Sequence, residues 1–232
     1  VNEQCDVIIV AAGSGTRLGM RQPKAFVTLA GKPICSYSIE VFAAHPFVDC
    51  ITLVVPANMK DEVTRLFDGE KIRVVAGGDQ RWMSVRNGCV VSASPWVMVH
   101  DAARPFVSCR VIDALLEKRK SFDCAITATP VVDTIRTFSG EVAGETVDRS
   151  KLVRVGTPQL FRRELLMKAF SFVDSDTELP TDEAVLMQRM DVAVGIADGD
   201  PMNFKITTKE DLEIARAIIS GRKETAGLAS SR

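Results

Sequence analysis

With 232 residues, 46% of them hydrophobic and 25% charged, the chain fits one sizeable globular domain, or one domain with a small appendage. Lys and Arg number 29 against 30 Asp and Glu, a formal net charge of −1. That balance argues against a nucleic acid polymer or an anionic membrane as partner and leaves a nucleotide open as a small substrate.

No apolar run reaches the length needed to cross a bilayer. The opening VNEQCDVIIVAAG is acidic and runs straight into a predicted strand, unlike a signal peptide. The cysteines at 5, 35, 50, 89, 109 and 124 sit mostly in apolar segments, with no CxxC and no metal-site spacing with histidine. Buried free thiols in a reducing compartment, and hence a cytoplasmic protein, are the expectation.

The first predicted strand, residues 6–12, is a nearly continuous valine and isoleucine run, as in a strand buried on both faces. It leads into AAGSGTRLGMRQPK, residues 11–24, a glycine-rich stretch matching neither familiar phosphate fingerprint. Gly31-Lys32 is followed by Pro33 rather than Ser or Thr, which excludes GxxxxGK[ST], and Gly13, Gly15 and Gly19 are spaced one residue too long for GxGxxG. Even so, Gly13 and Gly15 let backbone N–H groups approach an anion, Arg17 offers a fork of donors, and Lys24 follows Pro23.

A helix is predicted over 34–44, then strands over 51–56 and 72–76, a helix over 81–92, a strand over 96–100, a helix over 108–119 opening on Ser108, and a strand over 124–131. This alternation argues for an α/β sandwich around a mostly parallel sheet. Ligands of such sheets gather at the carboxyl ends of the strands. The opening loop, Gly77-Gly78-Asp79 and Asp101-Ala102-Ala103-Arg104 should therefore face one crevice.

After residue 132 the pattern changes. Residues 134–138 and 145–147 read as two short polar strands with too little apolar surface to form a domain, better explained by an arm covered by a partner subunit than by a merely solvent-exposed hairpin. The body resumes with 152–155 and a helix over 161–170. A further helix is capped by Thr181 of TDEA, a strand covers 202–207, and a closing helix is capped by Thr208 with Asp211. One domain over 1–221 follows, with a dimerisation arm at about 133–150 and a flexible tail over 222–232.

Two histidines, His45 and His100, read as structural, and there is no GxSxG or Cys–His arrangement for covalent catalysis. A chemistry that needs no protein base fits better. A phosphate monoester with a second pKa near ~6 is mostly dianionic at pH 7 and can attack phosphorus if cations stabilise the developing charge. Arg17, Lys24, Arg149 and Lys205 are the candidate cations, and Lys205 stands out by interrupting the apolar run NFKIT. Asp101, at a predicted strand end and followed by small residues, could meet a metal, a hydroxyl or a cation.

These stretches together resemble the 2-C-methyl-D-erythritol 4-phosphate cytidylyltransferases of the non-mevalonate isoprenoid pathway. The matching segments are AAGSGTRL and QPK within 11–24, GGDQRWMSV at 77–85, VHDAARP at 99–105, VVDT at 131–134, TVDRSKLVRVGTPQLF at 146–161, TDEA at 181–184 and NFKITTKEDL at 203–212. They cover nearly the whole chain. The departures are Thr16, where some relatives carry a second arginine, and Ala25, where some carry glutamine.

The resemblance implies a Rossmann-like three-layer sandwich of the nucleotide-diphospho-sugar transferase type with a projecting β-arm. It implies that Ala11, Ala12, Gly78, Asp79 and Ser84 recognise cytidine, while Gly13, Ser14, Gly15, Thr16 and Arg17 hold the triphosphate. Arg17, Lys24 and Lys205 become the catalytic set, and Asp101, Arg104, Thr134, Arg149 and Thr181 the acceptor-binding set. Thr134 and Arg149 would come from the neighbouring subunit of a homodimer. Mg²⁺ or another divalent cation would ride mainly on the phosphates of CTP, with Asp101 as the one candidate protein ligand. Two rivals remain: a cytidylyltransferase for another polyol phosphate such as ribitol 5-phosphate, and a nucleotide-binding regulatory module without catalysis.

Overall fold

The computed structural model describes residues 4–13, 23–67, 69–173 and 179–230, the last eight of these by backbone alone. In chain order its elements are β1 (Cys5–Val10), the hairpin β2 (Thr28–Leu29) and β3 (Lys32–Pro33), α1 (Ile34–Ala44), β4 (Val48–Val55), α2 (Lys60–Leu66), β5 (Ile72–Ala76), α3 (Arg81–Val91) and β6 (Trp96–Asp101). There follow α4 (Cys109–Lys118), β7 (Cys124–Pro130), β8 (Ile135–Ser139), β9 (Val142–Val147), β10 (Val153–Arg162), α5 (Arg163–Phe170), α6 (Glu183–Gln188), β11 (Val194–Asp198) and α7 (Lys209–Ser230).

Seven strands form one sheet in the order β11-β7-β10-β6-β1-β4-β5. All of its pairings are parallel except the two made by β10, which runs antiparallel to both β6 and β7. The mostly parallel sheet expected from the strand–helix alternation is present.

Alternation along β1 shows why the sheet is the middle of three layers. Val7 and Ile9 join a core with Phe42, Leu53, Met98 and Leu115 on one face. Ile8 joins Val54, Val97, Val99, Phe161 and Leu166 on the other. Successive side chains point to opposite faces, and both faces are dry, so the strand reads as an unbroken apolar run. The covering helices show one-sided burial. On α4 the buried residues are Val111, Ile112, Leu115 and Leu116, spaced at one helical turn. Burial of each such side chain contributes roughly 1.5–3 kcal/mol before conformational entropy is subtracted. On α3, Gly88 permits close approach to the sheet, because a Cβ there would lie 2.6 Å from Ile8 Cγ2.

Several expectations need correction. Residues 202–207 form no strand. Their segment crosses the carboxyl end of the sheet in irregular conformation, held by Ile206 N–H to the Ala103 carbonyl at 2.9 Å and by Asn203 Nδ2 to the Thr157 carbonyl at 2.8 Å. The edge strand is β11 instead. Phe161 and Arg162 end β10 rather than opening a helix, because both pair with β6 and Phe161 also pairs with Cys124 of β7.

The caps differ too. Asp182, not Thr181, caps α6, its Oδ1 accepting the Val185 N–H at 3.2 Å. Ser108 occupies the cap position of α4, but its hydroxyl makes no cap bond. The box at α7 is as expected: Thr208 N–H donates to Asp211 at 2.9 Å and Asp211 N–H to Thr208 Oγ1 at 3.3 Å. Helix α7 continues past Gly221 to Ser230, through a stretch rich in helix formers. No helix among the described residues is long and apolar enough to cross a membrane.

Candidate active site

Strands β1, β4, β5 and β6 run in one direction, so their carboxyl ends share one edge. Backbone bonds extend the ladder there: Ala11 N–H to the Val54 carbonyl at 2.7 Å, Gly77 N–H to Val55 at 2.8 Å, and Ala102 N–H to Val10 at 3.2 Å. This brings residues 11–13, 77–80 and 101–104 together above the sheet. Between them lies a cavity of about 440 Å³, lined among others by Ala12, Gly13, Lys24, Gly78, Asp79, Arg81, Ser84, Asp101 and Lys205. A cleft of this size, set where strands end, suits a small ligand.

One wall of the cavity is built by close backbone approach. A Cβ on Gly77 would sit 2.6 Å from Ala12 Cβ and 2.7 Å from Ser84 Oγ, so glycine is required for the two loops to meet. Ser84 Oγ accepts the Gly78 N–H at 3.1 Å and so braces the loop that carries Asp79. Ala11 is buried beneath this wall rather than lining the cavity. Ser14, Gly15, Thr16 and Arg17 lie outside the described residues.

Another part of the lining is a cluster of charges centred on Asp101. Lys205 Nζ is 2.8 Å from Asp101 Oδ2, Arg104 Nε is 3.7 Å from the same oxygen, and Arg81 donates to Oδ1 at 3.3 Å. Burial would raise the Asp101 carboxyl, but Arg81 and Lys205 outweigh it and hold the group well below the usual carboxylate range. Behind Arg81, Glu183 accepts from its Nη1 on both oxygens at 2.7 Å. Burial pushes Glu183 up, and Arg81 offsets part of that.

A family model for IspD, 2-C-methyl-D-erythritol 4-phosphate cytidylyltransferase, matches residues 5–221. The chain belongs to this family. Among curated IspD proteins, it is 42% identical over 211 residues to that of Deinococcus radiodurans, covering 91% of this chain and 88% of the relative. It is 37% identical over 238 residues to that of Solibacter usitatus, covering 95% and 96%. The Thermus thermophilus crystal structure superposes with a TM-score of 0.80 at 29% identity, covering 93% of this chain and 98% of that one. The Francisella tularensis IspD structure gives 0.79 at 33% identity, with 91% and 98% covered.

The IspD fold thus unites Ala12, Gly13, Lys24, Gly78, Asp79, Ser84, Asp101 and Lys205 around one cavity, and it holds Arg104 against Asp101. It does not bring Thr134, Arg149 or Thr181 to that cavity within one chain. Thr134 and Arg149 are exposed at the arm, where Arg149 donates to the Val132 carbonyl, and Thr181 is exposed ahead of α6. Arg81 and Glu183 were not singled out from the sequence. Both lie inside recognised stretches, but 102 residues apart, and nothing local links them.

Asp101 does not fit as a resident metal ligand. Both of its oxygens already face cations, and no group of three His, Cys, Asp or Glu suited to a metal occurs among the described residues. A divalent ion brought in on nucleotide phosphates needs no such cage.

His100, beside Asp101, is structural, as expected. Its Nε2–H donates to the Arg104 carbonyl at 3.1 Å, and its Nδ1 faces the Thr157 hydroxyl at 3.2 Å, which assigns the tautomer. Thr157 Oγ1 in turn accepts the Asp101 N–H at 3.0 Å. Burial lowers His100 to about 4, so it is neutral in the folded protein at pH 7. Between pH 6.5 and 4 the unfolded chain takes up a proton that the folded chain refuses. Stability from this group is therefore complete above about pH 6.5 and is lost as pH falls toward 4, by up to about 3 kcal/mol. Urea unfolding of His100→Asn should show a shallower acid slope than the parent across that window. Equal slopes would contradict the neutral buried assignment.

Proposed function

We propose that this cavity carries out the family's reaction, transfer of CMP from CTP to 2-C-methyl-D-erythritol 4-phosphate, giving 4-diphosphocytidyl-2-C-methyl-D-erythritol and pyrophosphate for isoprenoid synthesis. The observation that carries the reading is the cationic wall of an α/β cleft, with Lys24, Arg81 and Lys205 facing one space and no histidine positioned as a base. An oxygen of the acceptor's phosphate dianion attacks the α-phosphorus in line. The new P–O bond forms as the bond to pyrophosphate breaks, and its electron pair leaves with pyrophosphate. No proton need move, so the protein's part is alignment and charge stabilisation.

In this assignment Ala12, Gly13, Gly78, Asp79 and Ser84 receive the cytidine, with Ala11 supporting them from beneath, and residues 13–17 with Lys24 receive the triphosphate. The divalent cation, Mg²⁺ or a similar ion, enters on the phosphates of CTP as part of that substrate. Asp101, Arg104 and Lys205 receive the methylerythritol phosphate, and Thr181, exposed ahead of α6 and outside the cavity in this structure, is assigned to the same substrate on the resemblance alone. Lys205, held against Asp101 Oδ2, is placed to steer the attacking phosphate.

We assign the arm to a homodimer contact. Its two strands are exposed along most of their length, with Phe138 81% and Val142 72% exposed. A two-stranded hairpin with such a surface is marginal alone and gains from a partner. Covering it would also carry Thr134 and Arg149 to the neighbour's cavity. Phe138→Asp with Val142→Asp should shift the mass measured by light scattering from two chains to one and lower turnover. An unchanged mass would remove the arm from the interface. The six unpaired cysteines fit a reducing compartment, and we place the enzyme in the cytoplasm.

The test is pyrophosphate release with CTP, UTP or ATP against methylerythritol phosphate or ribitol 5-phosphate, with and without Mg²⁺. Release with CTP and methylerythritol phosphate supports the assignment. A preference for ribitol phosphate would move the chain to the sister activity, and CTP binding without turnover would make it a regulatory module.

A further inference from the structure

Arg81 lines the cavity as one of its cations but is assigned to neither substrate, and Glu183, its partner, has no role in the assignment above. Arg81 is the first residue of α3 and follows directly on the Gly77–Gln80 loop that forms the nucleotide wall. Glu183 opens α6, two residues after Thr181 on the acceptor side. The Glu183 side chain is 1% exposed and does not line the cavity, so it can reach substrate only through Arg81. Its loop is fixed independently: Asp182 caps α6 through Oδ1 and accepts from Gln159 Nε2 of β10 through Oδ2 at 3.0 Å. Glu183 is therefore presented to Arg81 from a rigid frame.

The guanidinium divides its donors unequally. Nη1 serves both Glu183 oxygens at 2.7 Å, and Nη2 serves Asp101 Oδ1 at 3.3 Å. An arginine facing one carboxylate alone would take both oxygens side by side, the stronger geometry. Here the second oxygen of Asp101 faces Lys205 at 2.8 Å, with Arg104 Nε farther off at 3.7 Å.

We propose that Arg81 and Glu183 are positioning residues for the transfer reaction: Glu183 restrains the Arg81 guanidinium to one oxygen of Asp101, leaving the other to orient Lys205, and so ties the nucleotide wall to the acceptor wall. Without Glu183 the guanidinium closes on Asp101 in the paired geometry, and Lys205 loses its anchor. Acceptor binding and alignment then suffer while the CTP half of the site stays formed.

The inference rests on the transfer activity proposed above, and the experiment separates the two. In steady-state pyrophosphate release, Glu183→Gln should raise KM for methylerythritol phosphate by about tenfold or more, with CTP affinity by calorimetry within about twofold of the parent. Arg81→Lys keeps the charge but cannot span two carboxylates, so it should show the same split. It also serves where Glu183→Gln does not fold. The double variant should be no worse than the poorer single one, because the two residues act through each other. A fall in kcat with acceptor KM unchanged would mean lost active protein rather than lost positioning and would overturn the proposal, as would additive effects in the double variant. A parent enzyme that turns over neither acceptor would refute the activity instead.

Discussion

Lys205→Ala should lower turnover by about 10²-fold or more in a protein that still folds, as expected when a preorganised charge is removed from a reacting centre. The side chain is 37% exposed and makes one close ion pair, to Asp101 Oδ2 at 2.8 Å, so its removal leaves no large cavity. What is lost is a cation fixed against Asp101 in the wall of the cavity. Lys24→Ala should fall by a similar factor, because Lys24 lines the same cavity from a one-turn helix capped by Pro23. The two are expected to differ in kind. Lys205→Ala should weaken acceptor use, and Lys24→Ala should act mainly on the step that breaks the bond to pyrophosphate. Stopped-time pyrophosphate assays with circular dichroism as a fold control decide this, and turnover near the parent's in either folded variant would remove that lysine from the catalytic set.

Asp101→Ala should cost both stability and activity. The carboxylate is the shared counter-charge of Arg81, Arg104 and Lys205. Arg81 keeps Glu183, and Lys205 can turn toward water, but the Arg104 side chain is only 16% exposed. Burial already lowers the pKa of Arg104, and Asp101 is the main influence opposing that. Stranding this charge should destabilise the fold by about 3 kcal/mol, the scale for breaking one side of a buried pair. Urea unfolding at pH 7 measures it. A loss under about 1 kcal/mol would mean that Arg104 finds water in the variant. Asp101→Asn should lie between the parent and Asp101→Ala, since it keeps the shape and some of the hydrogen bonding while losing the charge.

The parts of the site legible in the sequence were those carried by contiguous residues. Val7, Ile8 and Ile9 read as a strand buried on both faces, and the rule that ligands gather at strand ends then placed Gly78, Asp79 and Asp101 beside the opening loop. The structure brings these residues to Ala12 and Gly13, because parallel pairing forces the strand ends to one edge, and the rest of the opening loop, residues 14–22, lies outside the described residues. Lys205 was picked out for a correct reason in an incorrect setting. A lysine among apolar residues does need a partner, and Asp101 is that partner, but the segment is an irregular crossing rather than a strand. Periodicity alone does not distinguish the two when a run is short.

The cap of α6 illustrates the limit of local reading. Thr181 and Asp182 are both good capping residues, and sequence favoured the first. Tertiary contact decided for the second, because Gln159 of β10 holds the other oxygen of Asp182 and thereby sets where the helix begins. That one-residue choice puts Glu183 in the first turn, facing inward, where it meets Arg81.

By itself, then, the sequence determined the layer architecture and the edge of the sheet at which the cavity opens, both from residue types at short, regular spacing. Several lining groups, Ala12 and Ser84 among them, were named only through the family resemblance. The tertiary structure alone decided how the charges are divided: which cation takes which oxygen of Asp101, and that Glu183 stands behind Arg81. Ion pairing depends on distances of a few ångströms between residues far apart in the chain, and no local pattern encodes them.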